Sequence, residues 1–389
     1  MTASILVTVL AVEAAFAVLG LRYVPLRLQG DLPDDILEFA QSSKIGVVPR
    51  DPVLLLGDSY AQGFGDWLLE ADPNGNGPFH SAHVIQRLSG RDVVTLGVSG
   101  AGSAEGMAAY PAIAYSHSRD AWYLRLPLPH IAIVYFYEGN DLNNNMSFME
   151  QRVKTPDATG IVERIDAAIA AYSSKLFVDT GWARHLPLLR FLDRIAWRVF
   201  AEQTGKSPKL ESDDAASAAR ADQPNTVEVA GKPTQLPANL QSPAMELTQP
   251  ELELAVLVYE RSLAFLRKLL PGTPVIVVYV PSPLSSYRLL GPEVSIQQYV
   301  SGRLTRYPKE RVTENGNRMC LMIRAATMGQ GAGFVDLRPA VRAASAQDTV
   351  HGPRDFKHFN RRGMEVLGQA VAERIDRPLI QDTCFANVD

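Results

Sequence analysis

Five short runs rich in Val, Ile and Leu punctuate the chain, at 53–56, 93–96, 131–136, 275–280 and 334–337. None keeps a strict alternation of apolar and polar positions, and each is followed by Gly, Asp, Asn or Pro. Strands covered on both faces read this way, so the runs predict a parallel sheet held between two helical layers. Helical periodicity fills the intervals. Leu252, Val256, Tyr259, Leu263, Leu266 and Leu270 form one stripe over 249–270, where Thr248 and Glu251 make a capping box and Pro271-Gly272 a stop. After residue 358, Met364, Leu367, Val371 and Ile375 share a face that should pack on the sheet.

Two stretches break this alternation. Residues 4–21 are apolar or small apart from Glu13, close to the length that crosses a bilayer as a helix. Their ten Leu, Ile, Val and Phe residues favour insertion by roughly 3 to 6 kcal/mol, against a cost of about 2.5 to 3.5 for a central acid. We therefore expect a membrane anchor in 1–25. A cleaved signal segment, with Ala15-Phe16-Ala17 as its small-residue site, and a buried core helix are the alternatives. The second break is 142–250. Two helical patterns lie within 160–200, with Ile161, Ile165, Ile169, Tyr172 and Leu176 and then Leu188, Leu192, Ile195 and Val199. Residues 201–250 hold no aromatic residue and no Ile, and are expected to be disordered.

Across all 389 residues, 46% are hydrophobic and 21% charged, which is a globular profile. The 38 basic and 42 acidic residues leave no cationic surplus to neutralise phosphates, so nucleic acid is excluded as a partner. Two cysteines, Cys320 and Cys384, cannot build a Cys-rich zinc site and allow one intrachain disulfide at most. Asp72-Pro73-Asn74-Gly75-Asn76-Gly77 imitates half of a calcium loop, but its twelfth position is His83 and not Glu. His80 and His83 have ligand-like spacing with no supporting motif, so no metal and no cofactor are expected.

Chemistry gathers at the strand ends. Gly57-Asp58-Ser59 follows the first run, Gly97-Val98-Ser99-Gly100 the second, Glu138-Gly139-Asn140-Asp141 the third, and Asp355-Phe356-Lys357-His358 lies beyond the fifth. Taken singly, each is also what an ordinary turn would use. Together, at one edge of one sheet, they supply a nucleophile, a backbone N–H donor, an amide donor and an oriented base. Gly100, Gly102 and Gly106 also imitate a dinucleotide loop, but Asp120 does not end a strand as a ribose-binding acid should.

With these four blocks the sequence resembles the SGNH hydrolase superfamily, also called the GDSL family. Tyr60 stands where the GDSL pattern has Leu. Gly139 and Asn140 are adjacent where the family's Gly-x-Asn-Asp block has an intervening residue. The resemblance implies an α/β fold, a three-layer α/β/α sandwich with a five-stranded parallel sheet of flavodoxin-like type. It implies Ser59 as nucleophile with Asp355 and His358 completing a triad. The oxyanion hole would be made by Ser59, Gly100 and Asn140, with Gly97 as the fallback for Gly100.

The expected organisation is then an anchor or signal segment over 1–25 and a lead-in over 26–52. A catalytic domain is split between 53–141 and 251–378 by the 142–250 insertion, and 379–389 form a tail. The implied activity is hydrolysis of a carboxylic ester, on a small-molecule or polysaccharide substrate, through an acyl-enzyme. An O-acyltransferase acting on a cell-envelope polysaccharide and a catalytically silent binding protein are the alternatives. Arg22 and Arg27 follow the apolar segment, and by the positive-inside rule they would keep the body in the cytoplasm. The resemblance points instead to a periplasmic body. Nothing in the sequence indicates an oligomeric state.

Overall fold

The structure, a computed structural model, describes residues 2–385 apart from 34–35, 37–39, 41–42, 46–47, 66–67, 69–70, 73, 76–77, 79, 124, 155–158, 177–180 and 205–223. Its strands are β1 (Val53–Leu56), β2 (Val93–Thr95), β3 (Ile131–Tyr137), β4 (Asn225–Val229), β5 (Lys232–Leu236), β6 (Val275–Val280), β7 (Arg288–Leu289), β8 (Glu293–Gln297), β9 (Leu304–Pro308) and β10 (Gly333–Asp336). The helices that matter below are α1 (Thr2–Ala15), α2 (Ser59–Gln62), α3 (Ser81–Ser89), α4 (Tyr110–Asp120), α5 (Asp141–Phe148), α6 (Ile161–Leu176), α7 (Pro187–Gln203), α8 (Gln249–Leu269), α9 (Lys309–Gly329), α10 (Arg338–Ser345) and α11 (Arg361–Ala372).

The fold is α/β, built on a five-stranded, all-parallel sheet in the order β2-β1-β3-β6-β10. Alternate residues of each strand serve opposite helical layers. Val53, Leu55, Ile133 and Val278 meet Ile85 of α3, Val341 of α10 and Met364 and Leu367 of α11. Leu54, Leu56, Val134 and Val277 meet Leu252, Tyr259 and Leu266 of α8 and Met319 and Ile323 of α9. Each fully buried aliphatic side chain contributes about 1.5 to 3 kcal/mol, which explains why these strands carry no polar face. The long helix begins at the Thr248–Glu251 capping box and runs its buried stripe down to Leu270.

Strand order also fixes where a ligand can bind. From β1 the chain moves to β2 on one side and then crosses to β3 on the other. That reversal opens a crevice at the carboxyl ends of β1 and β3.

The expectation of disorder over 201–250 fails for 201–204, where α7 runs on to Gln203, and for 224–250. Asn225–Val229 and Lys232–Leu236 form an antiparallel hairpin, and Val227, Leu236, Leu240 and Met245 join the core beside Val294 and Ile296 of β8. Composition averaged over fifty residues hid a local alternation in which Asn225, Val227 and Val229 face inward. The turn residues Ala230 and Gly231, at φ 51° and 71°, give the two-residue geometry that suits the twist of paired strands. Partner surface comes from β7 and β8, more than fifty residues away, so no local window reveals it. Residues 205–223 of that expectation lie outside the described residues.

At the N-terminus, α1 continues through a π-turn (Phe16–Gly20) and a 3-10 turn (Leu21–Tyr23). The resulting Ser4–Tyr23 helix is long and apolar enough to cross a membrane. At the other end, Cys320 of α9 is bonded to Cys384. The tail lies along the outer edge of β10, where Phe334 N–H donates to Ile380 O and Asp382 N–H to Phe334 O, at 2.8 and 3.0 Å. Cys384→Ser opens a closure spanning 64 positions and should lower unfolding free energy by about 4 kcal/mol, read as a drop in the urea midpoint. An unchanged midpoint would show that the bond does not hold the fold.

Candidate active site

Ser59 owes its position to the way β1 ends. Gly57 sits at φ 136°, and a Cβ there would come within 2.6 Å of Tyr135 O, so only glycine turns the chain beside β3. Asp58 then caps the single turn of α2 by accepting the Tyr60 N–H at 2.9 Å. This leaves Ser59 as the first helical residue, at the carboxyl edge of the sheet and only 3% exposed.

Asp355 and His358 arrive on a loop closed by the His351–Phe359 bridge and by the Asn360 N–H donating to Val350 O. The Tyr287 hydroxyl accepts from the N–H groups of Val350 and His351, which fixes the foot of that loop. His358 Nε2 lies 2.8 Å from Ser59 Oγ, and its Nδ1 lies 2.6 Å from Asp355 Oδ2. Asp355 Oδ1 accepts the Lys357 and His358 N–H groups at 2.8 and 3.2 Å. Burial pushes the Asp355 carboxyl up, but the hydrogen bond and charge of His358 and the two amides outweigh it and hold the pKa below the ordinary value. An ionised Asp355 keeps a proton on Nδ1 and leaves Nε2 as the acceptor facing Ser59.

Gly100 sits at φ 73° in the turn closed by Ala101 N–H donating to Val98 O. Gln62 Oε1 accepts the Ser99 N–H at 2.6 Å on one side of this turn, and the Asn144 amide donates to Gly100 O at 3.1 Å on the other. Gly97, the fallback, is packed against Ala61 and Gln62 of α2, where a Cβ would have no room. Among the described residues, neither the Ser59 nor the Gly100 N–H donates to a protein acceptor. Asn140 is buried beside Asp58, whose carboxylate accepts a hydrogen bond from its amide.

Two buried acids stand behind the serine. Desolvation raises the Asp58 pKa to about 6, against hydrogen bonds from Tyr60, Asn140 and Ser59 and the charge of His358. Burial and then the charge of Asp58 also push Asp141 well up, while the Tyr137 N–H bonded to it opposes the shift.

Several contributors carry no signal in the four blocks. The Tyr60 hydroxyl donates to the Lys357 carbonyl at 2.9 Å, and the Tyr137 hydroxyl points between that oxygen, at 3.2 Å, and Gln241 Oε1, at 2.7 Å. The Tyr60 ring also packs against His358 and edge-on against Phe359. Leucine at position 60 could make none of these polar contacts, so the departure at Tyr60 has a structural consequence. Asn145 accepts the Ser103 N–H and donates to Ala255 O, tying the glycine loop to α8. Tyr299, on the turn between β8 and β9, meets the amides of Asn144 and Asn140, which offset part of the rise that burial gives its hydroxyl.

His80 and His83 stand apart from this constellation. His80 Nδ1 caps α3 by accepting the Ala82 N–H, and burial lowers the His83 pKa to about 4. The Asp72–Gly77 stretch lies partly outside the described residues. Among the described residues, Cys320, Asp336 and Cys384 come close enough to share an ion, but both sulfurs are consumed by the disulfide.

No family model matches the sequence, and no curated protein matches it. A solved structure aligns with 84% of this chain and 97% of its own, at 12% identity and a TM-score of 0.36, a likeness too low to carry an argument.

Two outcomes follow from this geometry. Tyr60→Phe with Tyr137→Phe leaves the Lys357 carbonyl without its donors and should cost about 1 to 3 kcal/mol of stability. Thermal melts giving a variant as stable as the parent would remove the clamp from the account. For Asp58, the folded pKa near 6 lies above the unfolded value of 3.8, so the fold holds a proton that the unfolded chain releases. Its contribution to stability therefore falls as pH rises from about 4 to 6. Asp58→Asn keeps the capping acceptor, so its urea midpoint should gain on the parent's between pH 4 and pH 7. A constant difference between the two proteins across that range would contradict the shift.

Proposed function

We propose that the protein is a serine esterase of the SGNH type that cleaves a carboxylic ester through an acyl-enzyme. The observation that carries this reading is the Ser59–His358–Asp355 relay, with contacts of 2.8 and 2.6 Å, at the crevice between β1 and β3. In the proposed first step, Ser59 Oγ attacks the ester carbonyl carbon while His358 Nε2 takes the hydroxyl proton. Asp355 stabilises the imidazolium, which next gives that proton to the departing alcohol. Water, activated by the same nitrogen, then releases the acid and restores Ser59.

The negative charge on the tetrahedral oxygen would be met by the N–H groups of Ser59 and Gly100 and the side-chain amide of Asn140. Each such donor is worth about 2.7 to 4 kcal/mol of barrier. The clamped Gly100 turn supports this role, because a donor that is already held loses no freedom when charge develops.

A body on the extracytoplasmic side of a membrane, held by the N-terminal helix, completes the reading. The Cys320–Cys384 bond supports that side, since cytoplasmic thiols are kept reduced. Arg22, which argues for the other orientation, has a structural task as a donor to Ile45 O.

A fluorophosphonate probe should label the protein at Ser59, and Ser59→Ala should abolish labelling. Label retained by that variant would overturn the assignment. Release of acyl groups to water should be independent of added polysaccharide. Acceleration by polysaccharide, with acyl recovered on sugar, would replace hydrolysis with O-acyl transfer.

A further inference from the structure

The only acid of the apolar N-terminal helix is not exposed to lipid or water. Glu13 is buried, and its two carboxylate oxygens accept the Leu188 and Leu189 N–H groups at 2.8 and 2.9 Å. These amides open α7, so the carboxylate caps a helix from elsewhere in the chain and sits at the positive end of its dipole. One turn further on, Phe16 stacks on Phe191 at 5.7 Å. Helix α7 therefore lies alongside the second half of the apolar segment.

Exposed Asp193, Arg194 and Glu202 share the surface of α7 with a face of large apolar side chains. A helix on a water-facing surface turns its charges outward. Here Arg194 reaches back to the Leu32 carbonyl at 2.6 Å, and Arg198 pairs with the nearly buried Asp31 at 3.2 Å. Leu189, Leu192, Trp197 and Phe200 face outward, each about half exposed or more. Leu189, Leu192 and Phe200 recur at helical spacing on one face, with Trp197 at its margin. Trp182, in the 3-10 turn just before α7, is 74% exposed. Leu6, Leu10 and Val12 of α1 are exposed as well.

We propose that the outward face of α7, with Trp182, is a second membrane-contacting element that lies in the lipid interface beside the N-terminal anchor. The packing of α7, through Glu13 and Phe16, on a segment of bilayer-crossing length identifies lipid as the occupant. Half-exposed tryptophans suit the same place, because their rings favour the headgroup level. Asp193 interrupts the face, which sets its depth at the headgroups and not in the acyl core. The protein is thus seated on the bilayer by two elements, with the Glu13 cap locking one to the other. The inference rests on the N-terminal helix being retained in the membrane.

Both native cysteines are bonded, so one added thiol can be spin-labelled in the full chain. Leu192→Cys and Phe200→Cys would be compared in phosphatidylcholine–phosphatidylglycerol nanodiscs with Leu10→Cys on the anchor and Leu321→Cys on exposed α9. Positions 192 and 200 should collide with oxygen several-fold more, relative to an aqueous nickel chelate, than position 321. If they match position 321 while position 10 is lipid-exposed, the inference fails and the anchor stands. If position 10 is also aqueous, the anchor and the inference fail together. Shielding of 192 and 200 from both collision partners would show that protein covers this face, and that outcome also defeats the proposal.

Discussion

The hydrogen bond between His358 and Ser59 closes the chain over 299 residues, and a bond of about 1 kcal/mol cannot organise so long a closure. Its two ends must already be in place. On the serine side this is done by a strand that ends in glycine and by a one-turn helix capped by Asp58. On the histidine side a bridged loop is held by three tyrosine hydroxyls, those of Tyr60, Tyr137 and Tyr287. The sheet supplies the common frame, since Tyr137 is the last residue of β3 and Tyr60 follows β1. A small polar contact is thus made reliable by a large apolar one.

Beneath that contact the molecule accepts buried charge. Asp58 and Asp141 lie in the core without a basic residue in hydrogen-bond contact among the described residues, and desolvation drives both towards neutrality. The contrast with Asp336 is instructive. Its carboxylate is also buried, but Arg338 meets both oxygens from two residues away and Phe385 N–H adds a third donor. At the edge strand β10 the acid is met by a cation, whereas beside the central strands Asp58 is met by an amide and a hydroxyl and Asp141 by the Tyr137 N–H, with Asp141 Oδ1 unpartnered among the described residues.

The parts legible in the sequence were those whose signal is local. Continuous apolar runs marked all five sheet strands, and Thr248 with Glu251 marked the start of α8. The Asp355–His358 spacing pointed to a pair that the structure brings within 2.6 Å. What stayed hidden depends on distant partners. Val227 is a core residue only because β7 and β8 come to it, and Gln241 reaches Tyr137 from a stretch whose composition resembles a linker. Glu13 looked like a penalty inside an apolar segment. Its meaning changes once the amides of Leu188 and Leu189 are seen to receive it. Spacing alone could not pair Cys320 with Cys384 either, because their approach depends on the tail returning along β10.

The Tyr60–Tyr137 clamp grips position 357 by its main-chain carbonyl and not by its side chain. Any residue with an ordinary backbone offers the same oxygen, so the orientation of the neighbouring imidazole does not depend on the identity of residue 357. A substitution at 357 that keeps an ordinary backbone keeps this grip, and with it the aim of the ring next to it.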